Sequence, residues 1–154
     1  MKKRGFTLVE MLIVMVIIAI VAAIVLPRVL GARQRANEAN ARSCLEELRK
    51  AVKEFEADCG AYPLALTDLS VRTSPANGII WTGSGTGTRS ISSLDWKGPY
   101  LDNLASGALP TNKLTGSAVE GTDWIYNAAG EPVGTVQIGG VTGNDSSGKP
   151  FSEW

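Results

Sequence analysis

The residue with the most chemistry in it is Glu10. In the stretch RGFTLVEMLIVMVIIAIVAAIVLPR it stands one position before sixteen uninterrupted apolar residues, Met11 to Leu26. A carboxylate in hydrocarbon costs about 2.5–3.5 kcal/mol even on the lenient insertion scales, so Glu10 needs a partner. The chain can make one. A cut after Gly5 would remove Lys2, Lys3 and Arg4 and give Phe6 an α-amine, whose ordinary pKa is ~8. Phe6 and Glu10 are then four residues apart and can meet within one helix. The same amine can instead meet the Glu10 of a neighbouring chain, which neutralises both charges and sets the axial register of the two chains. The alternative is an uncleaved anchor whose Glu10 lies near the interface and snorkels or takes up a proton. The residues alone leave both readings open.

Elsewhere the inventory argues against catalysis. The chain has no histidine, which removes the commonest general base and the commonest transition-metal ligand. No serine sits in a nucleophile elbow, Cys44 has no histidine to activate it, and GSGTG is followed by neither the lysine nor the helix of a phosphate-binding loop. The C-terminal TGNDSSGKPFSEW offers Asn144, Asp145 and Gly148, a loop that can bend around a hard cation such as calcium. The plainer expectation for Asp145 is an Asx-turn.

These residues must be held by elements that the pattern predicts. Twenty-one residues from Phe6 to Leu26 make a helix of ~31 Å, about one hydrocarbon thickness. The run is longer than the core of a secretory signal and lacks a clean cleavage site before Pro27, so it reads as a retained anchor. Lys2, Lys3 and Arg4 hold the N-terminus on the cytoplasmic side and place everything after Pro27 outside. From Arg28 to Asp58 seven bases, six acids and many alanines accompany Ala41, Cys44, Leu45, Leu48, Ala51, Val52 and Phe55 at three- and four-residue spacing. That is one stripe of an amphipathic helix, stopped by Gly60 and Pro63. Pro27, between the two helical stretches, predicts a kink or loss of helix near Ala23 to Pro27.

The remaining residues predict a small α+β region that covers the stripe. ALTDLS reads as a turn or 3₁₀ piece, and SPANGIIWTGSGTGTRSISS as an exposed loop or loosely paired hairpin. Thr122 to Asn127 and Gly134 to Ile138 are expected to pair as antiparallel strands with Trp124, Tyr126, Val136 and Ile138 against the helix. Trp154 is expected to pin the tail to that sheet. Cys44 and Cys59, fifteen residues apart, would be ~22 Å apart on one helix, too far for a disulfide. The fifteen basic and fifteen acidic side chains give no sign of a nucleic-acid binder.

The segment RGFTLVEMLIVMVIIAIVAAIVLPR resembles the class III signal of type IV pilins and type II secretion pseudopilins. The resemblance implies that a prepilin peptidase cleaves after Gly5 and methylates Phe6, that Glu10 pairs with a neighbour's N-terminus, and that Pro27 disrupts the helix when subunits pack. It further implies a type IV pilin-like α+β fold, with a long N-terminal helix and a small C-terminal antiparallel sheet packed on its second half. The expected divisions are a leader at 1–5, a membrane or filament-core half-helix at 6–27, an amphipathic half-helix at 28–59, and a globular loop and sheet region at 60–154. Within the superfamily the sheet and the glycine-rich tail look like the major pseudopilin of type II secretion systems. A true pilin of a motility, adhesion or DNA-uptake pilus is the alternative. Relatives of the pseudopilin kind bind a structural calcium, for which only Asp145 answers here, since LPTNKLTG replaces the family's aspartate-proline-tryptophan-glycine run. Adhesive pilins close a C-terminal loop with a disulfide, and no cysteine follows Cys59. The partners implied are further copies of the chain, the peptidase, an inner-membrane assembly platform, minor pilins or pseudopilins and, before assembly, lipid. No nucleic-acid partner is implied. The location implied is the inner membrane, then an extracytoplasmic filament. A membrane-anchored binding module using the same helix as a stalk is the reading from a different class.

Overall fold

The computed structural model describes residues 6–154. Helix α1 runs from Leu8 to Cys59. Its start is set by Thr7, whose Oγ1 accepts the amide of Glu10 at 3.2 Å while the Glu10 carboxylate accepts the amide of Thr7 at 2.8 Å. Thr-x-x-Glu is a capping box, in which each residue satisfies an orphan donor of the other. Its end is set by Gly60, which takes φ 64°, a left-handed conformation that glycine reaches without penalty.

Of the kink or loss of helix expected near Ala23 to Pro27, the loss does not occur in the single chain: α1 is helical through Pro27. Proline removes one amide donor, but the residues on either side are alanine, leucine, valine, isoleucine and arginine, and the hydrogen bonds of both flanking turns keep the helix going.

The chain divides into two compact units, one ending at Ala36 and the other spanning Asn37–Trp154. The second holds the core. Ala41, Leu45, Leu48, Ala51, Val52, Phe55 and Cys59 form the buried stripe of α1, joined by Leu66, Leu69, Leu101, Leu109, Trp124, Val136, Ile138 and Phe151. A 3₁₀ turn at Leu66–Leu69 places two of these leucines, and a second at Phe151–Glu153 places Phe151.

The second unit holds two antiparallel ladders, of which one contributes Trp124, Val136 and Ile138 to the core of the helix stripe. Strands β3 (Trp124–Tyr126) and β4 (Val136–Ile138) pair with Trp124 opposite Ile138 and Tyr126 opposite Val136. This is the expected sheet, shorter at both ends because Asp123 turns back on Val119 and Asn127 closes the connection through Thr135 and Gly134. The stretch at 74–93 contains a regular hairpin, β1 (Asn77–Trp81) with β2 (Thr86–Ser90), paired from Asn77↔Ser90 to Trp81↔Thr86. An isolated bridge from Tyr62 to Ile79 ties β1 to the segment that leaves the helix.

Candidate functional site

The N-terminal unit presents its apolar side chains to the surroundings. Phe6, Leu12, Ile17 and Val21 are all exposed, and α1 is long and apolar enough to cross a membrane. Burying such a surface in lipid or against other chains is the favourable outcome, at roughly 25 cal/mol per Å² of apolar area. Glu10 is the acid of this surface, and Gly5 lies outside the described residues. The side-chain oxygen Oε2 of Glu10 accepts both the amide of Thr7 at 2.8 Å and its hydroxyl at 2.9 Å. In the uncleaved chain the partner of Glu10 is therefore Thr7. The signal for it, Thr7 three positions before Glu10 ahead of an apolar run, was present in the sequence and is the functional feature that periodicity alone passes over.

The second cluster sits at the C-terminal tail. Asp145 is buried and its Oδ1 accepts the amide and hydroxyl of Ser147 at 2.8 and 2.6 Å and the amide of Lys149 at 2.9 Å. The Ser147 contact is the Asx-turn that the residue types suggested. Its Oδ2 accepts Arg42 Nη2 at 3.1 Å. The Ser147 hydroxyl, followed by the backbone amides of Lys149 and Ser147, holds the Asp145 carboxyl well below the ordinary carboxylate range against the opposing effect of burial. Next to it, both carboxylate oxygens of Glu38 accept the amide of Ser146, at 3.1 and 3.0 Å.

Trp154 completes the cluster. Its carbonyl oxygen accepts Arg49 Nη2 at 2.6 Å, Arg42 lies 4.3 Å above its ring, and Phe151 meets it edge-on. The tail lies against β4 as expected, and it is also tied to two arginines of α1, of which Arg49 donates to the Val136 carbonyl of β4 at 3.1 Å as well. An indole over a guanidinium combines ring quadrupole and positive charge, which the sheet's apolar edge does not supply.

Among the described residues no group of three or more histidine, cysteine, aspartate or glutamate side chains is gathered for a metal ion. For calcium the loop offers one carboxylate, Asp145, whose Oδ1 is engaged by Ser147 and Lys149 and whose Oδ2 faces the Arg42 guanidinium. An ion entering the loop would have to displace Arg42 or undo the turn at Ser147.

Thiol chemistry also finds no support. Cys44 is half-buried and Cys59 is buried; both are free, and burial raises both thiols above their ordinary value. Near Cys59, Asp58 accepts Lys97 Nζ at 2.7 Å and the Tyr100 hydroxyl at 3.1 Å. That lysine hydrogen bond lowers the Asp58 carboxyl and raises Lys97, so both groups favour the charged forms that make their ion pair.

Comparison with known proteins adds to this geometry. Residues 1–26 match the family model described as the prokaryotic N-terminal methylation motif. A stretch of 77 residues is 40% identical to the type IV wide pilus major component PilA4 of Thermus thermophilus, covering 48% of this chain and 59% of that protein. The chain thus spans somewhat more than half the length of the relative it matches. No solved structure matches it.

Proposed function

We infer that this chain, pilin-like in its fold and in its methylation motif, is a structural filament subunit of the type IV pilin and pseudopilin superfamily, and that the filament is a type IV pilus. One observation carries the reading: an apolar half-helix with Glu10 near its start, its large side chains exposed from Leu8 to Leu26, inside a segment that matches the methylation motif. Apolar surface of that extent needs lipid first and neighbouring helices afterwards. The resemblance of 77 residues to a pilus major component supports the pilus over the secretion pseudopilus.

In this reading residues 1–5 are a leader, cleavage follows Gly5, and Phe6 becomes the methylated N-terminus. The new ammonium of one subunit then pairs with Glu10 of a neighbour. Residues 6–27 form the membrane span and later the filament core, with the N-terminus cytoplasmic and residues 28–59 and 60–154 extracytoplasmic. Pro27 is the point at which α1 opens when the subunits pack tightly. Prepilin peptidase, an inner-membrane assembly platform and minor subunits are the partners. The role is structural and not enzymatic.

The secretion pseudopilus is the second reading, favoured by the tail. No disulfide closes it, and its lock is made of Arg42, Asp145, Arg49 and Trp154. Deleting the gene separates the two, since loss of surface filaments supports the pilus and loss of exported enzymes supports the pseudopilus.

The subunit reading itself is tested by mass spectrometry of assembled material, expected to begin at N-methylated Phe6. An intact Met1 in assembled filaments would sink it. Glu10→Ala is expected to insert in the membrane at the normal level and to yield few filaments.

A further inference from the structure

We propose that two arginines in the middle of α1 dock onto two glutamates further along the same helix in a second copy of this chain. The proposal rests on the filament reading above and specifies one of its lateral contacts. Arg28 and Arg35 are exposed, seven residues apart, and without an ion pair among the described residues. Seven residues are nearly two helical turns, so the two guanidiniums lie on one face ~10.5 Å apart along the axis. Glu47 and Glu54 have the same spacing and are also exposed. Glu47 has no ion pair among the described residues, and Glu54 has only a solvent-facing contact with Lys50 at 3.4 Å.

Arg28 meets Glu47 and Arg35 meets Glu54 at one common shift of nineteen residues. That shift fixes the stagger between the two copies at ~28 Å of helix.

The wider charge distribution points the same way. Between residues 6 and 36 there are three bases, Arg28, Arg33 and Arg35, and one acid, Glu10, a net charge of +2. Between residues 37 and 154 there are nine bases and fourteen acids, a net charge of −5. A subunit so divided repels like regions of its neighbours and attracts unlike ones, which favours staggered over level packing. The other arginines at the same spacing, Arg42 and Arg49, are already engaged by Asp145 and Trp154 and are not available. Anionic lipid headgroups are the competing occupant of Arg28 and Arg35. They do not explain why the acids further along the helix repeat the arginine spacing.

The experiment is charge reversal and its compensation, in the full chain with its leader, expressed beside its assembly machinery. Filament yield is read after shearing and subunit level in the membrane is read by immunoblot. Arg28→Glu with Arg35→Glu is expected to leave the membrane level unchanged and lower filament yield about tenfold, because reversal replaces two attractions per subunit by two repulsions. Adding Glu47→Lys and Glu54→Lys is expected to restore the yield to within about twofold of the original, since the same pairs form with opposite sign. Adding Glu46→Lys and Glu56→Lys, which has the wrong shift, is expected to restore nothing. Undiminished filaments from the arginine reversal would overturn the contact. So would a loss that the matched compensation fails to repair, or a loss of membrane retention on vesicles containing anionic lipid, which assigns the arginines to headgroups. An unmutated chain that makes no filaments at all would instead overturn the filament reading on which the contact rests.

Discussion

Leu12, Ile17 and Val21 are exposed by half or more, whereas Leu45, Leu48 and Phe55, on the same helix, are at most 1% exposed. Both groups are aliphatic or aromatic and both sit in regular helix, so propensity does not separate them. What separates them is the pattern of their neighbours. In the first region apolar side chains surround the helix, and no other part of one chain could cover all sides. In the second they form a stripe that the strands and 3₁₀ turns cover from one side. The same hydrophobic term therefore works between molecules in one region and within a molecule in the other.

The largest test of this difference is a pair of truncations. Trp124→Ala removes a fully buried indole whose Nε1 donates to the Pro110 carbonyl at 2.8 Å. It is expected to lower unfolding stability in detergent by about 3–5 kcal/mol. Ile17→Ala is expected to change it by less than ~0.5 kcal/mol. Equal losses in denaturant titrations would break the comparison.

Glycines sharpen it at intermediate size. A Cβ on Gly139 would fall on the Thr122 carbonyl oxygen, so Gly139→Ala is expected to cost about 1–3 kcal/mol in the same titration. A Cβ on Gly31 would meet nothing within 4 Å, and Gly31→Ala is expected to gain up to ~1 kcal/mol of helix stability, seen as increased helicity by circular dichroism.

The smallest effect concerns charge in the packed region. The carboxyls of Asp145 and Asp123 are both depressed, Asp145 first by the Ser147 hydroxyl and Asp123 first by that of Ser117. A depressed acid stabilises the folded form at every pH above its unfolded pKa, and that contribution is lost as pH falls through the folded one. Burial raises Glu120, whose protonation on acidification acts in the opposite direction. Melting temperature is thus expected to hold from neutral pH down to about pH 4 and then to fall. Asp145→Asn is expected to flatten the acid limb. A chelator is expected to leave the melt of the unmodified protein unchanged, since Arg42 already faces Asp145; a drop would restore calcium to the loop.

Much of this was legible because it is periodic. The stripe from Ala41 to Phe55 and the pairing of residues near Trp124 with residues near Ile138 follow from spacings of three, four and two. Gly60 marked the helix end. The capping box is equally local, but it rests on a single pair three residues apart, Thr7 and Glu10, and not on a repeating period.

The Arg42–Asp145 pair joins residues 103 apart, and nothing periodic links them. Only the chain path that returns the tail to the helix brings them together. Pro27 is legible in a different way. Proline's cost is fixed, but whether the helix breaks depends on what else competes for the neighbouring backbone, and in a single chain nothing does.

The hairpin β1–β2 and the pair β3–β4 do not share a ladder. Lengthening, shortening or rewriting the segment between Trp81 and Thr86 therefore shifts no register in the part that packs on the helix. Gly83 and Gly85 there have open space around them. The molecule carries a display site that can be exchanged like a cartridge, where epitopes or tags can be grafted and where descendants of one gene are free to diverge.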